Sequence, residues 1–98
     1  MTMIEFVIAS KVKPVVLYEQ MAEECIELAH ACQKKARILR GENPTPVTSE
    51  EADDMVLEEF TDVTLVAGLL QLKPSNIQLR DKLLRWRDRL EDDNRDFK

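Results

Sequence analysis

Apolar residues recur every three or four positions from Leu17 to Cys32 and again from Ala52 to Leu70, with clear breaks at residues 41–47 and 73–75. That spacing is the helical period, and segments this long that carry it read as amphipathic helices. With 2 Gly, 4 Pro and 5% aromatic residues in 98, little in the chain suits a sheet. The first helix is expected over residues 13–40, with Pro14 tolerated in its first turn and Gly41 as its stop. Lys34, Lys35, Arg37 and Arg40 suit the negative end of its dipole. Pro44 and Pro46 mark residues 41–47 as a loop. Thr48 then opens a capping box with Glu51, and the second helix is expected over residues 49–72. A third spans residues 76–93, with Leu79, Leu83, Trp86 and Leu90 as a narrow stripe. Residues 1–11 read as a short strand or an extra helical turn, and residues 94–98 as a frayed tail. The whole is one all-α domain, an antiparallel helical bundle.

The formal net charge of -5 argues against nucleic-acid backbones as partners, because these require a basic surface. No apolar run approaches the roughly 20 residues of a membrane span. Cys25 and Cys32, two helical turns apart, stand about 10 Å from one another, too far for a disulfide. They read as small core residues of a cytoplasmic protein. The apolar arcs of the first two helices are too wide for each other and a short third helix to cover. A homodimer, or a tetramer built from dimers, is therefore expected.

The acids decide the functional reading. At about 100° per residue, Tyr18, Met21, Ala22, Cys25, Ile26, Ala29 and Cys32 form the first helix's apolar arc, extended by Leu17, Leu28 and Ala31. Glu24 falls inside that arc and Glu27 at its edge, while Glu23 and His30 point further out. On the second helix Ala52, Met55, Val56, Val63, Val66 and Leu70 define the stripe. Glu59 projects from its middle, and Asp62 lies on the same side. A carboxylate in apolar surroundings loses several kcal/mol of solvation if it has no partner. Two arrangements relieve that cost. A divalent cation such as Mg²⁺, which prefers oxygen ligands, can sit between the two i, i+3 pairs. Alternatively the acids pair with bases, from a second subunit or from Lys82 and Arg89, or Arg80 and Arg87, on the third helix.

The run Met21-Ala-Glu-Glu-Cys-Ile-Glu-Leu-Ala-His-Ala31, followed by Leu57-Glu-Glu-Phe-Thr-Asp-Val63, resembles the MazG-like all-α nucleoside triphosphate pyrophosphohydrolases. That family carries Glu-Glu-x-x-Glu-Leu on one helix and Glu-Glu-x-x-Asp-Val, or a close variant, on the next. The resemblance covers roughly residues 17–89. It implies Glu24, Glu27, Glu59 and Asp62 as ligands of Mg²⁺ (or Mn²⁺). It further implies that Glu23 and Glu24 serve the attacking water, and that Lys82 and Arg89 grip the phosphates. Where the family often places Asn between those two bases, this chain has Trp86.

The implied activity is hydrolysis of an NTP or dNTP to the monophosphate and pyrophosphate, at a site near or across a subunit interface. Two other readings compete with it: a non-catalytic helical interaction module, and a relative that binds nucleotide without turnover.

Overall fold

The computed structural model describes residues 1–42 and 46–93. Pro44 of the expected loop and the expected tail after residue 93 lie outside the described residues. Four helices follow in order: α1 (Met3–Lys11), α2 (Pro14–Arg40), α3 (Ser49–Leu69) and α4 (Asn76–Asp93), with no strand among the described residues.

Local chemistry explains each boundary. Residues 1–11 form a nine-residue helix, not a strand or a single turn. The Thr2 side chain accepts from the Glu5 N–H, and Glu5 accepts from the Thr2 N–H, which is a capping box. Those bonds also hold the Glu5 carboxyl below its usual range. The same device, Thr48 with Glu51, opens α3. Lys13 precedes α2 without capping it, and Pro14 takes the first turn, where a missing N–H leaves nothing unsatisfied. Gly41 ends α2 at φ 71°, and its N–H donates to Arg37 and Ile38 carbonyls. α3 stops at Leu69, before the expected end at residue 72, because Gln71 turns to φ 57° ahead of the Lys73-Pro74 break.

α2 and α3 form an antiparallel hairpin. Lys35 meets Ser49 and Asp53 near the connection, Glu27 meets Glu59 midway, and Leu17 shares a cleft with Val66 and Leu69 at the far end. The buried core is Leu17, Ala31, Ala52, Val66 and Leu69. α1 packs on α3, where Gly68 makes room: a Cβ there would lie 2.5 Å from Glu5 Oε2.

Three expectations are corrected. The centre of the α2 arc faces solvent, with Tyr18 57% and Ile26 56% exposed. The arc is wider than α3 can cover, and the flank holding Leu17, Glu24, Leu28 and Ala31 is the one that turns inward. Cys25 and Cys32 lie on the uncovered part and are exposed rather than core residues. And α4 does not complete a bundle within its own chain; the segment through Pro74 carries it off the hairpin, leaving Leu79, Leu83 and Trp86 exposed. The radius of gyration is accordingly 17.5 Å, against about 13 Å for a compact domain of this length.

Candidate metal centre

Glu24 and Glu27 come from successive turns of α2, and Glu59 and Asp62 from successive turns of α3. Hairpin register brings the two pairs face to face. One carboxylate oxygen from each of the four residues lies within 4.8 Å of every other. Glu24, Glu59 and Asp62 are half-buried and Glu27 is exposed at the rim. Glu24 Oε2 and Glu59 Oε2 are closed off from water and have no hydrogen-bond partner.

Bringing these acids together has an electrostatic cost, visible at Glu59. Its carboxyl is pushed above the ordinary range, first by burial, then by a hydrogen bond to Glu27 that requires a proton. Repulsion from Glu27, Asp62 and Glu58 adds to the shift. No base among the described residues forms an ion pair that relieves it. The ion pairs among the described residues are Lys35–Asp53, Arg40–Glu42 and Arg87–Asp88, none of which touches the four acids. The ion-pairing alternative read from the sequence is therefore not realised among the described residues.

The donor set fits a hard divalent cation. Oxygens on opposite sides of an octahedral Mg²⁺ stand about 4.1 Å apart. A small inward movement of side chains would thus close the cluster on an ion, and the two orphaned oxygens would gain the partner they lack. Gln20, one turn before Glu24, supplies a supporting contact: its Nε2 donates to Glu24 Oε1 at 2.7 Å. One oxygen of Glu24 is thereby held, and the other is the orphaned one.

The remaining candidates lie apart from this cluster. Glu23 is exposed on α2, outside the set of four. Lys82 and Arg89 share a surface hollow of ≈ 550 Å³ with Arg85 and Trp86. That hollow is formed by α4 alone, and neither residue lines a cleft that reaches the acids. Sequence reasoning missed Gln20, His30 and Lys34. His30 and Lys34 line a cleft together with Glu27 and Glu59. The i, i+4 spacing of Gln20 and Glu24 was the one signal available for the first of them.

No helix among the described residues is long and apolar enough to cross a membrane. No family model, curated protein or solved structure matches the chain.

Proposed function

We propose that this chain is a divalent-cation-dependent nucleoside triphosphate pyrophosphohydrolase of the MazG-like kind, converting an NTP or dNTP to the monophosphate and pyrophosphate. The observation that carries the reading is the four-carboxylate cluster with its two orphaned, water-excluded oxygens. Four acids at this separation disfavour the metal-free protein, a cost that a bound cation would remove, and a protein with pI ≈ 4.9 meets triphosphates best through cations.

Mg²⁺, or Mn²⁺, would neutralise phosphate charge and lower the pKa of a bound water. The chain's own work is positioning. Glu24, Glu27, Glu59 and Asp62 hold the ion. Glu23, exposed beside Glu24 in sequence, takes the proton of the attacking water as general base. Lys82 and Arg89 grip phosphate oxygens, which requires α4 to reach the acids from another copy of the chain.

The same reading makes the protein a homodimer, or a tetramer of dimers, with the site near the interface. Its accessible surface is 8220 Å², against roughly 5,700 Å² for a compact monomer of its mass. That excess lies on one copy and is larger than the roughly 800 Å² per partner of a standard interface, so it is of the size of a large, obligate one. Two unpaired thiols suit a reducing cytoplasm.

A nucleotide panel with Mg²⁺, assayed for pyrophosphate, tests the activity. Equal amounts of monophosphate and pyrophosphate, abolished by a chelator, are expected. Release of orthophosphate instead would make the chain a phosphatase and defeat the reading, and no turnover of any nucleotide would defeat it in favour of a binding module.

A further inference from the structure

The acid cluster opens on two sides, and they differ in chemistry. Toward α1 lies a cleft of ≈ 480 Å³ whose walls beyond Glu24 and Asp62 are mainly Ile8, Val12, Val16, Leu65 and Leu69; it contains no base. Toward the α2–α3 connection lies a smaller cleft, ≈ 220 Å³, lined by Glu27, His30 and Lys34 of α2 and by Met55 and Glu59 of α3.

We propose that His30 and Lys34 form a phosphate subsite of the metal centre, so that a cation-bound phosphate chain leaves the cluster on the Lys34 side. The proposal rests on the metal-site reading given above and goes beyond it. It places cations from the same chain, rather than only those of α4, against the phosphates.

Three observations carry it. Lys34 stands two turns and His30 one turn beyond Glu27, so helical spacing keeps all three on one face. Lys34 is half-buried and has no carboxylate of the described residues within ion-pair distance, whereas the neighbouring Lys35 is committed to Asp53 and Ser49. Thus Lys34 is an available cation beside the acids that is not tied up in an ion pair with any of them. Finally, four ionised carboxylates carry more negative charge than one divalent ion cancels, and the surplus repels phosphate. A base on the rim offsets that surplus, and only the Lys34 side has bases to offer.

The test is calorimetry with two probes, Mg²⁺ alone and inorganic pyrophosphate at saturating Mg²⁺. It is run on the full chain and on Lys34→Met and Lys34→Arg. Lys34→Met keeps the apolar stem and removes the charge. It should weaken pyrophosphate binding by about 10- to 100-fold, the range for a charged hydrogen bond. Mg²⁺ affinity of that variant should hold or rise, because a cation beside the acids has been removed. Lys34→Arg should bind pyrophosphate within a few-fold of the parent. Unchanged pyrophosphate affinity in Lys34→Met overturns the subsite and leaves the metal reading standing. So does a parent protein that binds Mg²⁺ but no pyrophosphate. If both affinities fall together, Lys34 is structural and the proposal is again overturned. A parent that binds no Mg²⁺ removes the metal reading and this inference with it.

Discussion

The α2–α3 hairpin and α4 are built from the same kind of sequence and end in opposite situations. Each helix is amphipathic. The hairpin buries Ala52 to 1% exposure and Val66 to 4%, while Trp86 on α4 remains 52% exposed. The difference shows what an apolar stripe encodes: that a helix has a partner, but not on which chain. α2 repeats the contrast on its own surface. Its acid-bearing flank is turned against α3, and the part of its arc with Tyr18 and Ile26 is left over. In this chain the four clustered acids lie on the faces the hairpin satisfies, and the free faces are those an assembly would cover.

The largest expected effect breaks the satisfied side. Val66→Asp places an unpaired charge in the hairpin core, and should cost about 3–5 kcal/mol in chemical denaturation, enough to unfold a domain this small. The matching change on the free side replaces Leu79, Leu83 and Trp86 by Ser together. Helix content by circular dichroism should survive, whereas sedimentation should shift to a lighter species. Equal damage from both changes would erase the contrast between the two regions, as would a triple variant that sediments like the parent.

Much of this division was legible in the sequence, and the illegible parts have physical causes. Helix identity followed from spacing, and Thr48-x-x-Glu51 marked the start of α3 to the residue. Thr2-x-x-Glu5 carried the same signal for α1, but a short, largely apolar helix lacks the polar face that makes periodicity visible. Glu24, Glu27, Glu59 and Asp62 stood out because charge on an apolar stripe violates local patterning. His30 and Lys34 could not stand out, because their place beside Glu59 depends on how the helices register across the hairpin. Which flank of α2 turns inward was likewise beyond reach: both flanks are apolar, and only packing against α3 decides between them.

A smaller effect sharpens the reading of the hairpin's inner face. Gln20→Met removes the amide that holds Glu24 Oε1 and keeps the side chain's size. Mg²⁺ affinity by calorimetry should fall about tenfold, as for other residues that orient metal ligands. Metal-free stability should change by no more than about 0.5 kcal/mol, since the site is exposed. Unchanged affinity would mean that Glu24 needs no such support.

A pH series gives the smallest signal and a definite sign. The folded protein holds a proton on Glu59 more tightly than the unfolded chain does. In the metal-free protein, stability attributable to Glu59 is therefore complete below its ordinary carboxylate range near 4.5 and declines as pH rises through the higher folded value. Glu59→Gln cannot titrate. Its melting temperature relative to the parent should thus climb between about pH 4 and 7. A gap that stays constant would show that Glu59 is not strained by its neighbours.

The central claim is that the four acids are held together for a cation, and one measurement addresses it directly: thermal melts of the parent and Glu59→Gln at neutral pH, each with and without millimolar Mg²⁺. A ligand that binds only the folded state must raise its melting temperature. The account predicts that metal-free Glu59→Gln melts at or above the parent, and that Mg²⁺ stabilises the parent but not the variant. A variant that is much less stable without metal yet still responds fully to Mg²⁺ would contradict it, and would make Glu59 a structural acid.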